Sequence, residues 1–149
     1  MPDFVPSPFS VQLRGLFRLV RRNSRLLAES HGVTLQQMVA LFELRELGRC
    51  TISELLPHLD VTSGALSGLI DRLERQGLVL REPGVADRRQ VYLALTEDGH
   101  RLVAAIAHDW EAHAARWRAG MPPAQAEQLE TVLSALLTAG EAQQAPDHL

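Results

Sequence analysis

Apolar positions along most of the chain repeat at intervals of three and four residues, and they alternate only in one short region. That pattern predicts a set of helices with a single hairpin past the middle. Leu13, Leu16, Phe17, Val20 and Leu27 form the first helical stripe, which starts near Ser10 and ends at Gly32. Arg14, Arg18, Arg21, Arg22 and Arg25 occupy its other faces. The preceding stretch, PDFVPSPF, is too apolar for a free tail and too rich in proline for a helix. It reads as an extended arm packed on a partner.

Thr34 and Gln37 have capping-box spacing and introduce a helix through Met38, Leu41, Phe42 and Leu44 to Gly48. Thr51 and Glu54 repeat the signal before Ile52, Leu55, Leu56 and Leu59, and Pro57 should distort or end that short helix. The clearest helix follows. Thr62 caps it, Val61 and Leu66 are spaced as a hydrophobic staple, and Leu66, Leu69, Ile70 and Leu73 form its buried stripe. Gly77 stops it and Leu78 closes over its last turn. LVLRE and QVYLALT then read as two strands around a Gly84–Arg89 loop. Thr96 starts a helix of roughly four to six turns at about 3.6 residues each, with Leu102, Val103, Ile106, Trp110, Ala114 and Trp117 as its stripe. It ends near Gly120. Pro122 and Pro123 suit the start of a last helix carrying Leu129, Val132, Leu133, Leu136 and Leu137.

Composition narrows the picture. The 149 residues suffice for one domain with a core, and no apolar run approaches the length of a membrane span. MPDFVPSPFS lacks the pattern of a signal peptide and Cys50 is the single cysteine, so the expected location is cytoplasmic. Net charge is −3, which does not by itself advertise nucleic-acid binding, but all 15 basic residues are arginine. Arginine suits bidentate recognition of phosphates and base edges, although GC-rich codon usage gives the same bias.

A short helix, a tight turn, a second helix and a hairpin make a winged helix-turn-helix. Opposite its leucines, the second helix presents Ser63, Gly64, Ser67, Gly68 and Asp71, flanked by Arg72 and Arg75. Small residues allow close approach of the backbone, hydroxyls bond bases or phosphates, and a helix N-terminus attracts phosphate. An ordinary solvated helix face is the plainer reading of these residues.

The segment SGALSGLIDRLERQGLVLREPGVADRRQVYLALTEDG resembles the MarR family of winged-helix transcription regulators, most specifically in DRRQVYLALTEDG. The helix order before and after it extends the likeness over nearly the whole chain. The resemblance implies a mostly α fold with a small β-wing: a winged helix-turn-helix lobe over 34–96, with dimerisation helices over 1–32 and 97–149 in a single domain. It implies a homodimer, probing successive major grooves of a palindromic operator in double-stranded DNA. Thr62, Ser63, Gly64, Ser67, Arg72 and Arg75 would serve the recognition helix. Arg89 would enter the minor groove, Arg88 would meet a phosphate, and Asp87 would hold Arg89. Phe4, Phe9, Leu13, Leu16, Trp117, Leu129, Leu133 and Leu136 are the expected dimerisation residues. Three departures stand out. Gly68 replaces a larger residue, Pro57 is unusual, and Asp60 stands where glycine is common and would have to tolerate a left-handed turn.

Regulators of this kind often answer small aromatic or anionic compounds. Family geometry would place such an effector near Arg18, His31, Met38, Phe42 and Trp110, all of which are also plausible packing residues. Cys50 falls at an expected helix–strand junction, where a small buried residue is ordinary. The histidines lack the spacing of metal ligands, and neither a cofactor site nor a catalytic constellation is expected. The alternative to a ligand-responsive repressor is a winged-helix module that binds protein rather than specific DNA.

Overall fold

A computed structural model describes residues 6–84 and 90–144. The element order is α1 (Pro8–Ser30), α2 (Leu35–Leu47), β1 (Cys50–Thr51), α3 (Ile52–Leu55) running into a 3₁₀ turn at Leu56–His58, α4 (Ser63–Arg75), β2 (Val79–Pro83), β3 (Val91–Leu95), α5 (Glu97–Ala119) and α6 (Pro123–Gln144). This is the expected mostly α fold with a small β-wing. The chain forms two compact units, Met1–Asp109 and Trp110–Leu149, divided within α5.

In the first unit the core gathers Leu41 and Leu44 of α2, Leu55 of α3, Leu66, Ile70 and Leu73 of α4, Val79, Leu93 and Leu95 of the sheet, and Val103 of α5. A second cluster joins Ala28, Val33, Met38 and Ile106, and Phe42, Leu78 and Leu102 pack against both. Local signals place these elements. Both capping boxes form: Thr34 with Gln37, and Thr51 with Glu54. Pro57 sits in the 3₁₀ turn that follows a single helical turn, as its missing N–H requires.

Four expectations need correction. The first helix begins at Pro8, not near Ser10, so Pro8 and Phe9 are helical rather than part of an extended arm. Proline fits a first helical position, and the Ser7 hydroxyl accepts the Ser10 N–H at 3.2 Å. The sheet has three strands, in the order β1-β3-β2, because Cys50 and Thr51 pair antiparallel with Leu93 and Tyr92. Asp60 is not left-handed, since no described residue other than glycine has a positive φ. At 23 residues, α5 is slightly longer than six turns.

The stripe on α1 is real, but this chain does not bury it. Only Ala28 is buried on α1; Leu13 and Val20 are half-buried, and Phe17 is 68% exposed. In the second unit, α6 shows the same feature. Ala126 is buried, while Leu129, Val132, Leu133, Leu136 and Leu137 are all exposed. Trp110 and Trp117 of this unit meet edge to face, with ring centroids 6.2 Å apart.

Candidate nucleic-acid interface

Helix α4 is oriented by what it buries. Leu66, Leu69, Ile70 and Leu73 face the core, so Ser63, Gly64, Asp71, Arg72 and Arg75 are exposed on the other side and Ser67 and Gly68 are half-buried. Thr62 starts the helix, its hydroxyl accepting the Ala65 N–H at 3.3 Å. A methyl group added at Gly64 would meet nothing within 4 Å, and at Gly68 only the Arg72 guanidinium at 3.8 Å. Packing therefore does not demand these two glycines. Their effect is to leave the outer surface low, with backbone accessible to an approaching partner.

The C-terminal end of α4 is held from three directions. Gly77, at φ +71°, closes a Schellman motif in which the Leu78 N–H donates to Leu73 O and the Gly77 N–H to Glu74 O. Thr96 donates its hydroxyl to Gly77 O at 2.6 Å and accepts the Gly99 N–H at 3.0 Å. Gly99 is required by contact, because a Cβ there would lie 2.2 Å from the Leu78 carbonyl oxygen. The Thr96 and Gly99 of LTEDG are thus the joint between α5 and the end of α4.

Arg81 of β2 supplies the third hold. Its guanidinium forks onto two carboxylates of α4, Asp71 at 2.6 Å and Glu74. The hydrogen bond to Asp71, followed by the nearby charges, raises the pKa of Arg81 and fixes it as a cation. Sequence reading missed this clamp and left Asp71 as part of an open face. Arg75 also turns inward, its Nε donating to the Asp71 carbonyl at 3.2 Å. Arg72 has no ion-pair or side-chain hydrogen-bond partner among the described residues.

The hairpin stem is in regular register from Val79↔Leu95 to Pro83↔Val91, and the Gly84 N–H donates to Gln90 O at 2.8 Å. Arg49 braces its outer end. It pairs with Glu82 at 3.0 Å, and its guanidinium lies 3.8 Å over the Tyr92 ring. Asp87, Arg88 and Arg89 lie outside the described residues, in the sequence between Gly84 and Gln90.

The other expected site residues are scattered. Phe4 lies outside the described residues. Phe9 and Leu16 on α1, and Leu129, Leu133 and Leu136 on α6, are exposed, whereas Leu13 and Trp117 are half-buried. Of the proposed effector contacts, Met38 is buried in the second core cluster and Phe42 bridges both clusters. His31 bonds Asp109 at 2.9 Å, Arg18 lines an open surface groove, and Trp110 packs on Trp117. Cys50 is buried. Burial first, and then the charge of Glu54, raises its pKa, which keeps it a thiol at neutral pH.

Residues 33–91 match the sequence signature of the MarR family. Over 97 residues the chain is 31% identical to the HTH-type transcriptional repressor MdtR of Bacillus subtilis, covering 65% of this chain and 63% of that protein. The match therefore spans a little under two thirds of that relative's length. Among solved structures, the Mycobacterium tuberculosis protein RV1404 superposes with a TM-score of 0.76 at 26% identity, over 93% of this chain and 99% of that one. A MepR mutant from S. aureus, solved bound to an oligodeoxyribonucleotide, shares the fold with a TM-score of 0.69 at 21% identity, over 90% of this chain and 99% of that one. The matching segment runs from the start of α2 to the start of β3, and the fold is shared nearly end to end with RV1404, so the chain is similar to MarR-family proteins.

Proposed function

We propose that the chain is a cytoplasmic transcription regulator that binds double-stranded DNA as a homodimer and represses from a palindromic operator. One observation carries this reading. The outer face of α4, kept low by Gly64 and Gly68 and lined by Ser63, Ser67 and Arg72, sits on a helix whose far end is fixed to both the hairpin and α5. A recognition helix needs both properties: an open face and a rigid mount.

In this reading Thr62, Ser63, Gly64, Ser67 and Arg72 meet DNA through α4. Arg75 joins them by releasing its bond to its own helix. Arg89 probes the minor groove, with Asp87 orienting it and Arg88 on a phosphate. The segments 1–32 and 97–149 form the dimer. The uncovered apolar residues of α1 and α6 support this, because a lone chain would leave them in water. A small aromatic or anionic effector would act by favouring one spacing of the two recognition helices over another.

Selecting binders from a random duplex pool with the purified protein, at near-physiological salt, tests this reading. A palindrome with half-site centres about 34–36 Å apart is the expected outcome. Weak, salt-sensitive binding without enrichment would favour a winged-helix module whose partner is a protein.

A further inference from the structure

Helix α1 carries five arginines against one glutamate, in a protein whose overall charge is negative. Arg18, Arg21, Arg22 and Arg25 follow the i, i+3, i+4, i+7 spacing of one helical face, about 10.5 Å long at 1.5 Å per residue. They line an open groove of about 420 Å³ that reaches Thr34 at the N-terminus of α2. Arg25 pairs with Glu29 at 3.5 Å. Arg18, Arg21 and Arg22 are exposed and have no ion-pair or side-chain hydrogen-bond partner among the described residues. Like charges held this close repel, and Glu29, the one carboxylate lining the groove, is paired with Arg25 rather than with these three.

The groove is continuous with the recognition helix. A second groove, of about 550 Å³, shares Glu29 and Thr34 with the first and is lined on its far side by Arg72 and Arg75 of α4. A track of arginines, interrupted by Glu29 where the two grooves meet, thus runs from the middle of α1, past the positive end of α2, to the C-terminal half of α4. A small anion would call for an enclosed, dry pocket with a few convergent polar groups. These arginines are instead solvated and spread in a line. A strand of B-DNA presents one phosphate per about 3.4 Å of helix axis, so a row of this length can span about three.

We propose that Arg18, Arg21 and Arg22 of α1 form a phosphate-binding track that extends the DNA contact beyond the recognition helix and wing. This rests on the reading of the protein as a DNA-binding regulator. It assigns α1 a second task beside dimerisation, and it predicts an affinity that is unusually salt-dependent for the number of base contacts.

The experiment compares the full-length protein with an Arg18→Gln/Arg21→Gln/Arg22→Gln variant on the selected palindrome, measuring affinity from low to moderate salt. A single Arg21→Gln variant accompanies it. The substituted side chains are exposed, and circular dichroism checks the fold. Each lost phosphate contact should lower the slope of log K against log salt by about 0.9, so the triple variant should lose about 2–3 units of slope and the single variant about 1. Affinity should fall roughly ten- to a hundredfold at low salt, alike for the palindrome and for unrelated duplex, because phosphate contacts carry no sequence information. An unchanged slope in the triple variant would overturn the inference while leaving the regulator reading intact. If the unaltered protein prefers no sequence, the underlying reading fails instead.

Discussion

The C-terminal end of α4 and the outward faces of α1 and α6 show opposite uses of the same kind of sequence. At the end of α4, every exit is closed. Gly77 and Leu78 cap the helix, Thr96 ties it to α5, Gly99 lets the two backbones touch, and Arg81 forks onto Asp71 and Glu74. On α1 and α6, large apolar side chains stay in water: Phe9 is 62% exposed and Val132 60%. One region is complete within a single chain, and the other leaves large apolar side chains uncovered. The difference separates rigidity from assembly: α4 is held by its own chain, while in the proposed dimer a second copy would cover the helices at either end.

The largest effect should come from the uncovered face. Leu133→Glu with Leu136→Glu would remove two apolar side chains worth about 1.5–3 kcal/mol each when buried, and would add charge. Sedimentation should then show monomer where the unaltered protein is dimeric, with little loss of helicity. An unaltered protein that is already monomeric would break the comparison. Next is the closed joint. Gly99→Ala forces a Cβ onto a backbone carbonyl, and a cost of about 3 kcal/mol or more is expected in thermal or denaturant unfolding. A tolerant Gly99→Ala would mean that the joint is loose.

Arg89→Ala should weaken operator binding by about 1–3 kcal/mol without altering dimerisation, measured by titration and sedimentation together. Smallest is a pH effect at α3. The Thr51 backbone N–H, then its hydroxyl, lowers the pKa of Glu54. A lowered carboxylate pKa stabilises the fold above the ordinary value, and that contribution is lost as pH falls through the folded-state value. The unaltered protein should therefore outlast Glu54→Gln at neutral pH, with the gap closing in acid. A gap that widened in acid would contradict the sign.

What could be read in the sequence was local. Thr34 with Gln37 and Thr51 with Glu54 are three residues apart, so their caps are visible without a fold. The outer face of α4 follows from the spacing of Leu66, Leu69, Ile70 and Leu73. The Arg81 clamp was invisible because its partners lie seven and ten residues away on another element, where no periodicity links them. The two residues of β1 are too few to show alternation, and their strand exists only because β3 offers them an edge. For α1, the stripe was legible but its fate was not, since periodicity marks an apolar face without saying which molecule covers it.

The central claim is a dimer that reads two half-sites held one helical turn apart by a rigid mount. Affinity for the selected palindrome should be compared with affinity for the same half-sites separated by five extra base pairs, about half a turn of a 10–10.5 base-pair helix. A rigid dimer must lose one half-site on the longer duplex, so binding should drop to the level of a duplex that carries a single half-site. Equal affinity for both duplexes would contradict the coupled, two-fold reading of the operator.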